Sequence, residues 1–283
     1  MPKIKCIPTN PYGWGRLARD HGVDKVTVNK IDAMQSGSCV TPEQFLTFRV
    51  FWRPRKTVKQ ITGRNGVFKK DDLEKMAEIF RTNNERFHAD FEAYLRSIRD
   101  KSDASIELGP FAVVREYQLE AAKMALIAFL DAVTLNTPNH KCYWGIRRLP
   151  FKVKFDQASI EARTDGYLPN RARDEEAFAI VETKARLRQK GDQRDCEIYM
   201  QESAEMVVWI LKDKREGRTV RLNNQRLLVS QDRHKIYLTW ASYNASYVDY
   251  AQMAISTDPG GATKHSQLWK PRLSVEEDQD LGM

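Results

Sequence analysis

The chain has 283 residues and a formal net charge of +8, with 41% hydrophobic and 30% charged residues, which excludes a disordered or fibrous protein and leaves room for one large core or two small ones. The basic balance favours polyanionic partners such as nucleic acid, although charge bears on association and not on fold. Cys6, Cys39, Cys142 and Cys196 are scattered with no Cys-x-x-Cys pair, and no apolar stretch is long enough for a signal peptide or a membrane span, so an intracellular protein of nucleus or cytoplasm with reduced thiols is expected.

Residues 1–105 read as a mainly helical N-terminal region. Within it, the segment from Gly15 to Ile31 resembles a helix-turn-helix: Ala18 allows close packing, Gly22 turns, Val23, Val28 and Ile31 bury a second helix, and Lys25, Thr27, Asn29 and Lys30 face a groove. A plain helical hairpin is the alternative. Apolar residues from Leu73 to Leu95 recur at helical spacing and predict a helix from Asp71 to Arg99. Lys101-Ser102-Asp103-Ala104-Ser105 breaks the pattern and marks a boundary.

A second domain is expected over residues 106–257. A helix from about Val113 to Leu135, apolar over much of its surface, should pack on a sheet. Strands are predicted at Phe151–Phe155, Ile160–Leu168 and Phe178–Thr183, then a helix from about Cys196 to Lys214 that stops before Gly217. Arg226–Ser230 and Lys235–Trp240 read as a β-hairpin. Residues 258–283, rich in Gly, Pro and charge, read as a disordered tail. The order helix, three strands, helix, strand is that of an α/β sandwich.

The chemistry concentrates between Asp165 and Gln201. Glu182-Thr183-Lys184 closes the apolar run from Ala177, and two-residue periodicity sends Glu182 and Lys184 to one side of the sheet. It is also the only (D/E)-x-K triplet in the chain. Asp165-Gly166 precedes it and the helix bearing Gln201 follows. Two carboxylates and a lysine converging at a strand end suit a hard divalent cation and a polarised phosphate. The plain alternative is a pair of exposed charges at a strand end.

Residues 110–250 resemble the PD-(D/E)XK nuclease superfamily, in the versions common among uncharacterised fungal proteins, through Asp165-Gly166, Val181-Glu182-Thr183-Lys184 and Gln201-Glu202-x-x-Glu205-Met206. The resemblance implies a restriction-endonuclease-like αβββαβ core and hydrolysis of phosphodiester bonds, with DNA ahead of RNA as substrate. It further implies Mg²⁺ or Mn²⁺ held by Asp165 and Glu182, with Lys184 acting on the attacking water and Gln201 orienting water or phosphate. The exonuclease and RecB-like branch usually carries tyrosine where this chain has Glu205. A first-helix glutamate, present in some members, would be Glu116 or Glu120.

Basic residues flank the motif. Arg186, Arg188 and Lys190, with Lys184 and Arg194, would neutralise phosphates along a bound strand, and Arg147, Arg148, Lys152, Lys154 and Arg163 precede it. A solvated loop is the alternative, since Asp192 and Asp195 interrupt the run. Trp240, Tyr243, Tyr247 and Tyr250 either stack bases or pack the core. The competing function is a non-catalytic nucleic-acid binder on a degenerate nuclease fold, and a homodimer is compatible with either.

Overall fold

The computed structural model describes residues 4, 7–31, 33–54, 56–57, 71, 74, 78, 111–135, 142–170, 176–184, 188, 193–218, 224–232, 235–252 and 273–279. The expected helix over 71–99 and the boundary at 101–105 therefore lie outside the described residues, apart from Asp71, Glu74 and Glu78, which are helical and exposed. None of the described helices is long and apolar enough to cross a membrane.

The fold is mixed α/β. The long helices behave as their sequences predict. The apolar stretch anticipated from Val113 forms a helix at Phe111–Leu135, and the one anticipated from Cys196 runs over Gln193–Arg215. Lys212, Lys214 and Arg215 complement the carbonyl end of the second, which stops at Gly217 with φ of 62°. Numbered in chain order, the helices are α1 (Pro11–Asp20), α2 (Pro42–Thr47), α3 (Phe111–Leu135), α4 (Gln193–Arg215) and α5 (Ala245–Gln252). The strands are β1 (Val50–Trp52), β2 (Lys56–Thr57), β3 (Pro150–Lys154), β4 (Ser159–Arg163), β5 (Gly166–Pro169), β6 (Ala177–Lys184), β7 (Gln225–Asp232), β8 (Lys235–Ser242) and β9 (Leu273–Gln279).

Seven strands form one sheet in the order β1-β9-β8-β7-β6-β5, with β2 also pairing β9, and β3-β4 make a separate hairpin. β6 and β7 are parallel and need a crossover, which α4 supplies; β5 runs antiparallel on the other side of β6. β6 is buried on both faces, so period-2 alternation sorts its residues between two cores. Ala179 and Val181 join Leu126, Ile127 and Leu130 of α3, whereas Ile180 joins Met200, Ala204 and Val208 of α4. Each of the larger of these side chains contributes about 1.5–3 kcal/mol by leaving water.

Four expectations are corrected. The segment predicted as one strand over 160–168 is two strands in two sheets. Its chain crosses between them at Thr164-Asp165: Thr164 N donates to Leu149 O (3.3 Å), and Asp165 N to Val181 O (2.9 Å). Second, the helix-turn-helix is not formed. After α1 the chain turns through Gly22 (φ 68°) and makes only a 3-10 turn at Val28–Lys30, in which Val28 and Asn29 are buried. Val23 and Val28 do enter the core, but as irregular backbone.

Third, the N-terminal segment is not a separate helical unit. β1 belongs to the main sheet, and three ring donors weld the segment to the rest. Trp52 Nε1 donates to Ser203 Oγ (2.9 Å), Tyr247 OH to Phe48 O (2.9 Å) and Tyr250 OH to Thr47 O (2.7 Å). These bonds also place Tyr247 and Tyr250 in the core and away from any base. Fourth, residues 273–279 of the expected tail form β9, parallel to β1 and antiparallel to β8. Its sequence alternates poorly, so strand character there comes from pairing on both sides and not from pattern.

Candidate active site

Asp165 owes its place to the sheet crossover. β5 begins at Gly166, where an added Cβ would lie 2.7 Å from Gly145 O and 3.0 Å from Ile127 Cδ1, so only glycine allows this close approach. The Asp165 carboxylate is then fixed by β6: its Oδ2 accepts from Thr183 N (2.9 Å) and Thr183 Oγ1 (2.8 Å). Its Oδ1 lies 3.6 Å from Arg148 Nη2. Thr183 lies between the motif's two charged residues and does the tethering.

Glu182 and Lys184 share the α4 face of β6, as alternation predicts. Glu182 is 4% exposed, and its Oε1 accepts from both Lys184 Nζ and Gln201 Nε2, the latter at 2.7 Å. Its Oε2 is buried with no hydrogen-bond partner among the described residues. Burial pushes the Glu182 carboxyl up to about 7; Lys184 opposes the shift and the charge of Asp165 adds to it. For Lys184 burial acts to lower the pKa, but the carboxylates of Glu182, Glu205 and Glu202 outweigh it and the net displacement is upward. The lysine is therefore a firm cation.

Gln201 and Glu205 lie four apart and so project from one side of α4. Gln201 Nε2 donates to Glu205 Oε1 at 2.9 Å as well as to Glu182, bridging the two carboxylates with one amide. Glu205 is 1% exposed, its Oε2 is again without a partner, and burial followed by the Glu182 charge drives its pKa well above the ordinary value. The structure thus joins Glu182, Lys184 and Gln201 by hydrogen bonds, holds Asp165 on Thr183 where its charge acts on Glu182, and adds three residues that sequence reasoning did not assign. Glu205 was visible only as a departure from a family pattern, although its four-residue spacing from Gln201 was a usable signal. Thr183 carried no signal beyond its place between Glu182 and Lys184, and Arg148 none beyond its charge.

The basic residues divide. Arg188 is a correction to the expected phosphate contacts, because its side chain has no exposed surface. Its guanidinium donates to Glu202 Oε2 (3.1 Å), Asp232 Oδ2 (2.7 Å) and Ser230 Oγ (2.9 Å), and lies 4.4 Å from the Tyr237 ring centroid. Those bonds tie the chain beyond β6 to α4 and β7, beneath the candidate site. Arg186 and Lys190 lie outside the described residues. Arg147, Arg148, Lys152, Lys154 and Arg163 are exposed. Glu120 is exposed and lies 3.5 Å from Arg148 Nη2, while the side chain of Glu116 lies outside the described residues.

The donor set suits a hard divalent cation in kind: carboxylate oxygens, two of them buried without partners, with no competing histidine or thiolate at the site among the described residues. It is not a preformed cage. Among the described residues no group of three or more His, Cys, Asp or Glu is arranged to hold a metal ion, and Lys184 and Gln201 occupy Glu182 Oε1. One or two carboxylates suffice for a cation that keeps most of its water. No protein-family model matches the chain, and no curated protein matches it either.

Proposed function

We propose that this protein is a metal-dependent nuclease that hydrolyses phosphodiester bonds of nucleic acid, DNA ahead of RNA, on a restriction-endonuclease-like core. The observation that carries the reading is the convergence of Lys184 and Gln201 on one oxygen of Glu182, whose other oxygen is buried without a partner, next to the tethered carboxylate of Asp165. A solvated strand end would not hold a carboxylate at 4% exposure with its pKa near 7.

Asp165 and Glu182 would hold Mg²⁺ or Mn²⁺, with the free oxygen of Glu205 within the same charge network. Such a cation would polarise a phosphate oxygen and acidify a bound water. Lys184, cationic throughout the working range, stabilises charge developing on the phosphate and orients the attacking water. Gln201 bridges Glu182 and Glu205, and its amide would serve as a donor to phosphate or water with a cation bound. Thr183 aims Asp165 by donating twice to Oδ2.

The test is cleavage of supercoiled plasmid, linear duplex, single-stranded DNA and RNA with Mg²⁺, Mn²⁺ or EDTA. Metal-dependent product formation is expected, lost in Lys184→Ala. One observation favours the second reading, a nucleic-acid binder that does not cut: Lys184 and Gln201 already satisfy Glu182 Oε1 without metal. That reading predicts salt-sensitive binding in EDTA and no product under any condition.

A further inference from the structure

We propose that the segment Tyr143–Arg148, together with Met124 of α3, is a binding surface for unpaired nucleic acid laid beside Asp165. This rests on the nuclease reading and narrows its substrate to single-stranded or locally opened strands.

The segment is pinned, not loose. Trp144 is buried and its N donates to Asp131 Oδ1 (2.8 Å). Gly145 and Tyr167 exchange both backbone hydrogen bonds (2.8 and 3.0 Å), and Leu149 is fully buried. Between and beside these anchors Tyr143 is 53% exposed and Ile146 49%, and the Arg148 side chain is 53% exposed, next to exposed Arg147. An anchored backbone that turns such residues outward holds them ready for a ligand at little further cost in entropy.

The segment lies along α3. Glu120, Met124, Ile127 and Asp131 fall at i, i+4, i+7 and i+11, one stripe of the helix. Asp131 meets Trp144, Ile127 meets the Gly145–Gly166 contact, and Glu120 meets Arg148. The segment therefore runs antiparallel to the stripe and brings Met124, itself 52% exposed, alongside Ile146. Among the described residues the exposed large hydrophobic side chains are these three and Tyr12 of α1.

An aromatic and two aliphatic side chains next to paired arginines match bases and phosphates of one strand. Base stacking on an aromatic ring tolerates any base, because every base presents a π-face. A duplex offers the phosphates but keeps its base faces covered, and an acidic peptide would leave the apolar residues without a role. The ion pairs of Arg148, at 3.5 Å to Glu120 and 3.6 Å to Asp165, are long, and its pair with Glu120 is half-exposed, so the guanidinium is open to a phosphate. A phosphate held there lies against Asp165.

The experiment is fluorescence anisotropy in EDTA, where nothing is cut, using labelled oligothymidine and oligouridine of about 12 nucleotides, a length suited to one such platform, and a hairpin duplex. Wild type should bind the single strands at least about tenfold tighter than the duplex, a difference of the size one or two stacked bases supply. Tyr143→Ala/Ile146→Ala, and Tyr143→Ala alone, should weaken single-strand binding by about 10- to 100-fold. Arg147→Ala/Arg148→Ala should weaken all substrates and reduce the salt slope by about two. Tyr12→Ala should change nothing. Equal single-strand affinity in wild type and a folded Tyr143→Ala/Ile146→Ala variant, or preference for the duplex, overturns this proposal alone. No affinity of wild type for any of the three overturns this proposal too, and metal-dependent cleavage then decides the nuclease reading by itself.

Discussion

Two clusters of buried charge sit within one turn of α4, and they are built on different principles. Around Arg188 a planar fork meets two carboxylates and a hydroxyl and lies against aromatic rings, so that directional bonds satisfy the charge. Around Glu182, two buried carboxylates share one amide, Lys184 pairs with Glu182, and one oxygen of each carboxylate has no partner among the described residues. The first cluster gathers two carboxylates on one arginine and holds α4 on the sheet. In the second, burial raises the pKa of both Glu182 and Glu205, so that a proton occupies the site readily and a cation would compete for it. Burial and charge alone do not distinguish them; the geometry of the donors does.

Substitutions should separate the two. Glu182→Ala and Lys184→Ala should each lower cleavage by about 10²-fold or more, the scale of losing one preorganised electrostatic contact at a reacting centre, with circular dichroism unchanged. Arg188→Ala should do the reverse in kind. It strands Glu202 and Asp232 and should cost about 3–5 kcal/mol in urea unfolding, whereas Lys184→Ala costs clearly less. If Arg188→Ala unfolds like wild type, the distinction drawn between the clusters collapses.

A pH series sharpens it. Glu182 titrates near 7 in the folded protein against 4.5 in an unstructured chain, so the folded state binds the proton more tightly. Its contribution to stability is full below pH 4.5 and is lost as pH rises through 7. Metal-free protein should therefore lose thermal stability across that window, Mn²⁺ should restore it at pH 8, and Glu182→Gln should weaken both effects, leaving the share that Glu205 carries. The smallest effect is expected at Thr183→Val, which deletes one of two bonds to Asp165 Oδ2 and should cost about 1 kcal/mol with a modest fall in cleavage.

The sequence made legible what depends on local periodicity. Both long helices, strands β3, β6, β7 and β8, and the shared face of Glu182 and Lys184 follow from apolar spacing. What it hid depends on partners distant in the chain. Strand β9 exists because β1, over 200 residues away, and β8 flank it. The split at Thr164-Asp165 is set by Leu149 and Val181, not by any local break in alternation. Arg188 read as surface charge because arginines usually are, and only the fold brings Glu202 and Asp232 around it. Lys25, Thr27, Asn29 and Lys30 had the spacing of a recognition helix without the tertiary support for one.

The central claim is that the carboxylates around Glu182 form a cation site and those around Arg188 do not. Titration of Mn²⁺, followed by its electron paramagnetic resonance signal in the absence of nucleic acid, tests it directly. Saturable binding is predicted for wild type, weakened at least about tenfold in Asp165→Asn and Glu182→Gln, the scale of losing one charged ligand, and unchanged in Ser230→Ala beside Arg188. No saturable binding by wild type, or binding indifferent to Asp165 and Glu182, would contradict it.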